Sequence, residues 1–191
     1  MWRKILDKPT TADYSSFGLK DKIAVVTGPS QGIGRAIALG LAQAGAHLVL
    51  AEHPDYHQEA LKQLKAEIAG LGRRALVVPT DVAVVAQLYN LMDKAKQEYG
   101  RIDILVNNAA WTGTGPALDV TEEEYDRTMD TCVKSVFFAC QAAAKIMIPQ
   151  GRGKIINIGS NFAISAFRTR VLYGGAKAAV HQLSRGMSLE W

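Results

Sequence analysis

Tyr173 and Lys177 stand four residues apart in the run Tyr173-Gly174-Gly175-Ala176-Lys177, a spacing that puts both side chains on one face of a helix. A phenol beside an ammonium is a proton-transfer pair: a tyrosine with an ordinary pKa of ~10 is poorly matched to neutral pH, and an adjacent cation favours its ionised form. Thirteen residues upstream, Ser160 adds a hydroxyl just past the apolar run Lys154 to Ile158. Ordinary helix-surface neighbours share the Tyr–Lys spacing, so the pair implies catalysis only if a binding site surrounds it.

The stretch Thr27-Gly28-Pro29-Ser30-Gln31-Gly32-Ile33-Gly34 offers one, between the apolar run Ile23 to Val26 and a helix-like run starting at Arg35. Glycines let a backbone turn tightly and approach a ligand, and the following helix presents unpaired N–H groups to an anion such as a pyrophosphate. Strand, glycine turn and helix is the context such a motif requires, although Gly-x-x-x-Gly-x-Gly differs from the commoner Gly-x-Gly-x-x-Gly. A glycine-rich connection without a ligand has the same local pattern.

Five near-continuous apolar runs alternate with helical patterns: Ile23 to Val26, His47 to Ala51, Ala75 to Val78, Ile102 to Val106 and Lys154 to Ile158. Such runs fit strands buried on both faces, and the alternation predicts a doubly wound parallel sheet. Helices are expected from Arg35 to Gly45, around Leu61, Leu64 and Ile68, and from Val85 to Gly100. A long helix is opened by the capping box Thr121-Glu122-Glu123-Glu124 and ends before Pro149, and a last helix runs from Tyr173 to Trp191. Residues 1–20 read as a loosely held leader and 21–191 as one domain.

The 191 residues suffice for one core and not for two. A net charge of +4 comes from 22 Lys and Arg scattered among 18 acids; no basic run or nucleic-acid motif is present, so nucleic acid is not an expected partner. No apolar stretch reaches the ~20 residues of a membrane helix, and the first residues carry no apolar signal core, so a cytoplasmic protein off the membrane is expected. Cys132 and Cys140 form neither a metal-binding pattern nor a helical disulfide, and no metal site is expected.

Thr27 to Gly34, Asp81-Val82, Asn107-Asn108-Ala109, Ser160 and Tyr173-x-x-x-Lys177, in this order and on these elements, resemble the short-chain dehydrogenases/reductases over roughly Lys20 to Trp191. The resemblance implies a Rossmann-type fold and an NAD(P)(H)-dependent oxidoreductase acting on a small alcohol or carbonyl substrate, such as a hydroxy acid, polyol or sugar derivative. It makes Tyr173 the acid/base, Lys177 the group that tunes Tyr173 and holds the nicotinamide ribose, and Ser160 a hydrogen-bond partner of the substrate oxygen. It further assigns cofactor contacts to Gly28, Ser30, Gln31, Gly32, Ile33 and Gly34 in the turn, to Asp81 and Val82 at the adenine, and to Asn108 and Ala109 near the ribose. Glu52 closes the second apolar run, where a carboxylate accepts hydrogen bonds from a free ribose 2′-hydroxyl and repels a 2′-phosphate, and Gln31 adds no positive charge; NAD(H) is expected over NADP(H).

Three departures from the family pattern stand out. Cys132 occupies the usual asparagine position in the long helix, Ala110 follows Asn107-Asn108-Ala109 where glycine is common, and the family's last strands, substrate-binding segment and closing loop lie outside the 191 residues. The expectation is a truncated member, or half of an assembly, that binds cofactor weakly and turns over poorly by itself; a cofactor-binding protein without useful turnover is the alternative. The family also pairs its long and final helices across subunits, which implies a homo-oligomer; a buried apolar face carrying Val133, Phe137, Ala144 and Ile148 suits either an intramolecular core or such a contact.

Overall fold

Valine, isoleucine and leucine dominate the strands, whose alternate side chains point to opposite faces and bury two separate cores. In the computed structural model, which describes residues 18–113 and 115–191, these strands are β1 (Ile23–Thr27), β2 (His47–Glu52), β3 (Ala75–Pro79), β4 (Ile104–Asn107) and β5 (Lys154–Asn157). All pair in parallel in the order β3-β2-β1-β4-β5. The leader expected over 1–20 falls almost wholly outside the described residues.

Helices α1 (Gly32–Gln43) and α2 (Gln58–Gly70) cover one face, where Ala38, Ala42, Leu61 and Leu64 meet Val26 and Leu48. On the other face α3 (Val85–Tyr99) and α5 (Ser135–Met147) bury Leu88, Met92, Ala139 and Ala143 against Val25 and Leu105. The last helix, α6 (Val171–Glu190), packs Val180 against Val136 and Cys140 of α5. Between α3 and α5 the chain forms α4 (Glu122–Met129), opened by the expected capping box with Thr121 and Glu124 bonding each other's backbone N–H.

Several boundaries differ from the sequence expectation. The strand expected from Ile102 begins at Ile104, because the Gln150 side chain takes both Ile102 backbone groups, accepting from its N–H at 3.2 Å and donating to its carbonyl at 2.8 Å. The glycine turn's end is itself the first turn of α1, so that helix starts at Gly32 and not Arg35. The long helix is not uniformly α: Asp130–Lys134 form a π turn in which Ser135 N–H reaches back to Asp130 O, five residues away. As one of the two edges of the described sheet, β5 is only partly buried, and Ile156 is 47% exposed. Of the apolar face expected for a core or a subunit contact, Ala144 is buried, while Phe137 and, just past α5, Ile148 are exposed.

Both cysteines are buried, free thiols. Burial pushes the Cys140 thiol up to about 11 from 9.0, although Asn157 and Asn107 hydrogen bonds pull the other way. The unfolded chain therefore binds fewer protons than the folded one between those values, and stability falls as pH rises through about 9 to 11. The expected loss is about 2–3 kcal/mol by the top of that window. Denaturant unfolding at stepped pH checks it, with Cys140→Ala flattening this limb.

Candidate active site

β1 sits where the strand order reverses, with β2 on one side and β4 on the other. In open α/β sheets the crevice beyond the carboxyl ends of the strands at such a switch point is where ligands bind. A cleft of about 990 Å³ opens there. It is lined by every candidate catalytic and cofactor residue, from Gly28 and Ser30 to Gly34 in the turn through Glu52, Asp81, Val82, Asn108 and Ala109 to Ser160, Tyr173 and Lys177.

At one end the turn is held from below by β4. Thr27 Oγ1 accepts from the backbone N–H of both Asn108 and Ala109 at 3.0 Å. Asn108 Nδ2 donates to Thr27 O at 3.0 Å and Gly28 O at 2.8 Å. Gly28 has φ +62°, a left-handed conformation suited to glycine, and a Cβ there would come within 3.1 Å of the Ala109 backbone. Gln31 caps α1 without a side-chain bond to the helix, its amide lying 3.1 Å from His57 Nε2 instead. Among the described residues nothing takes the N–H groups of Gly32, Ile33 and Gly34, so the positive end of α1 faces the cleft ready for a phosphate.

Glu52 is 7% exposed, and its carboxylate braces this turn. Oε2 accepts from both the backbone N–H and the hydroxyl of Ser30, while Oε1 accepts from His53 N–H at 3.1 Å. Asp81 Oδ1 accepts from Ala83 N–H at 2.9 Å, and Asp81 Oδ2 lies 3.8 Å from His53 Nε2. Both cleft carboxylates thus belong to the β2 and β3 ends of the sheet.

At the other end Ser160, past β5, caps a 3-10 turn (Asn161–Ala163) by accepting from Phe162 N–H at 3.2 Å. Lys177, 2% exposed, donates from Nζ to Ile158 O at 2.6 Å; the cleft is the remaining direction for its other protons. The helical spacing does bring the pair together, with Lys177 Nζ 5.7 Å from the centre of the Tyr173 ring. The electrostatic expectation is corrected, however. Burial and then the Cys132 sulfur push the Tyr173 phenol up, and the cation that partly offsets them is Arg170. Lys177 stands over the ring, and burial lowers its own pKa.

Cys132 lies in the π turn, fully buried, and its Sγ donates to Trp111 O at 3.3 Å. Burial raises its pKa despite that bond and nearby Lys177, which keeps it a thiol. Trp111, Arg127 and Thr131 also line the cleft. Arg127 and Thr131 were not foreseen as site residues; their i, i+4 spacing, one residue short of Cys132, was the available signal.

A family model for short chain dehydrogenases matches residues 22–191. A 2-dehydro-3-deoxy-D-gluconate 5-dehydrogenase of Escherichia coli is 42% identical over 178 residues, 93% of this chain and 68% of that protein. The enzyme of the same name from Dickeya dadantii is 34% identical over the same shares. Among solved structures, a short chain dehydrogenase from Burkholderia cenocepacia in complex with NADP superposes with a TM-score of 0.84 at 34% identity, covering 90% of this chain and 69% of that one. With the glycine turn, the switch-point cleft and the Tyr173–Lys177 pair in place, the chain belongs to the short-chain dehydrogenase family of NAD(P)-dependent oxidoreductases.

Proposed function

We propose that the protein oxidises a secondary alcohol, or reduces the matching ketone, on a hydroxylated sugar derivative, using NAD(H). The observation that carries this reading is the buried Lys177 ammonium beneath the Tyr173 ring, at the end of a cleft continuous with the glycine turn. The names of the Escherichia coli and Dickeya dadantii relatives support a sugar-derived substrate. NAD(H), when bound, supplies or accepts the hydride.

The chain's own residues do the rest. Gly32, Ile33 and Gly34 N–H groups and the α1 dipole hold the pyrophosphate, with Ser30 and Gln31 beside them. Lys177 offers its free protons to ribose hydroxyls, and Asn108 holds the turn in shape for that task. Ser160 Oγ donates to the substrate oxygen, and Tyr173 Oη gives that oxygen a proton during reduction or takes it during oxidation. Asp81 and Val82 border the adenine. Binding without turnover is a second reading, favoured by the upward shift of the Tyr173 phenol; consumption of NADH with any ketone substrate decides against it.

A 2′-phosphate would meet the buried Glu52 carboxylate, whereas a 2′-hydroxyl can donate to it, so NAD(H) is favoured. The test is thermal unfolding with each nucleotide. At about 100 times Kd, NAD+ contributes about 2.7 kcal/mol and raises Tm by roughly 5–10 °C for a chain of this size, with a smaller rise for NADP+. No shift with either nucleotide would overturn the cofactor reading, and a larger shift with NADP+ would reverse the preference. Glu52→Ala narrows the difference.

The groove between α5 and α6, about 650 Å³ and edged by Phe137, Ile148, Leu183 and Met187, is suited to the same face of a second copy, giving a homo-oligomer. Sedimentation of the purified protein tests it. A cytoplasmic setting accords with two cysteines that remain thiols.

A further inference from the structure

The Tyr173 end of the cleft carries a cation that the oxidoreductase reading leaves without a task. Arg127 lines the cleft beside Trp111 and Thr131. Its guanidinium carbon lies 4.5 Å from the centre of the Trp111 ring. Among the described residues its side chain makes no hydrogen bond and no ion pair. Acids on the same segment are near in sequence, yet Glu124 is turned to the capping box and Asp130 to Lys134. An arginine side chain carries five N–H donors in a planar fork shaped for a carboxylate.

The platform under Arg127 is fixed. Trp111 is tied to the π turn through its carbonyl, which accepts from Cys132 Sγ. Its ring also fills the space that Gly113 leaves open, for a Cβ at Gly113 would lie 3.1 Å from Trp111 Cη2. Stacking on an indole face orients a guanidinium without consuming its in-plane donors. Charge along the cleft is distributed in the same sense: the carboxylates Glu52 and Asp81 follow β2 and β3, whereas Arg127 stacks on Trp111, whose carbonyl takes the thiol of Cys132, the sulfur close enough to act on Tyr173.

We infer that Arg127, held on Trp111, recognises a carboxylate of the substrate, so that the substrates are hydroxy or keto acids of the sugar-acid class and not neutral polyols. This rests on the reading that Ser160 and Tyr173 mark the substrate end. The carboxylate makes its ion pair with the fork of Arg127, leaving Lys177 to the cofactor ribose.

The test is calorimetric binding of D-gluconate and D-glucitol, probes of similar length that differ in one carboxylate, to the protein with and without NAD+. Gluconate is expected to bind about tenfold tighter or better at low salt, with the advantage shrinking as ionic strength rises. Arg127→Gln brings the two probes within about threefold by removing the charge-assisted contact and leaves glucitol affinity in place, while Arg127→Lys restores part of the difference. Equal affinities in the parent, no measurable gluconate binding, or full discrimination in Arg127→Gln would each overturn the inference. Nucleotide-induced stabilisation is read on the same samples, so a failure of the cofactor reading shows separately from a failure of carboxylate recognition.

Discussion

Tyr173→Phe lowers turnover by about 10²–10⁴-fold, the usual contribution of a positioned general acid or base, while the NAD+-induced rise in Tm survives. The substitution removes one oxygen and leaves the ring on which Lys177 and Phe162 pack, so folding and cofactor binding have no reason to change. The pH profile carries a second signature. Alcohol oxidation needs the phenolate, and burial has pushed the phenol up, so the oxidation rate climbs with pH toward a limb above the ordinary tyrosine range, whereas reduction needs the proton and falls across the same limb. Both limbs vanish in the phenylalanine variant. Turnover within about tenfold of the parent would mean that another group moves the proton, and steady-state kinetics over pH reads either outcome.

Gly34→Ala is the substitution with the largest expected effect on stability, at about 2–4 kcal/mol, or roughly 5–15 °C in Tm. A Cβ at Gly34 runs into the Gly28 carbonyl oxygen and the Asn108 amide. Neither can give, since Asn108 Nδ2 is already spent on the Thr27 and Gly28 carbonyls at 3.0 and 2.8 Å. The nucleotide response is lost as well, because the clash opens the turn itself. Gly40→Ala, in the interior of the same helix with nothing within 4 Å of the added carbon, is the control and gains about 0.5–1 kcal/mol from reduced backbone freedom. Thermal unfolding of the two variants separates packing against the turn from glycine content in general; a Gly34→Ala protein melting within about 2 °C of the parent would refute the clamp.

Element order was legible because each strand of a parallel sheet is a run of Val, Ile and Leu, and each helix repeats its apolar residues every three or four positions. Boundaries failed where a side chain from far along the chain took over backbone groups, as Gln150 does at Ile102. The π turn was hidden because one extra residue per turn barely alters a hydrophobic pattern in a short helix. In the site, the Tyr173–Lys177 contact followed from helical spacing alone, but the direction of the Tyr173 shift did not: spacing says which side chains are neighbours and not which atoms face each other, nor how much water is excluded. Arg127 on Trp111 joins a helix to a loop sixteen positions away, a contact that no local period encodes.

The Asn108 clamp on the glycine turn also orders events in time. It joins groups 80 positions apart, and β2, β3 and their helices lie in the chain between β1 and its neighbour β4. Contacts of such long separation form late, because the chain must first surrender the entropy of closing the intervening loop. The glycine turn and its clamp are therefore expected to be among the last parts of the sheet to take shape in refolding, and nucleotide present from the start is expected to leave the early rate untouched while slowing unfolding of the finished molecule, which stopped-flow refolding and unfolding with and without NAD+ checks.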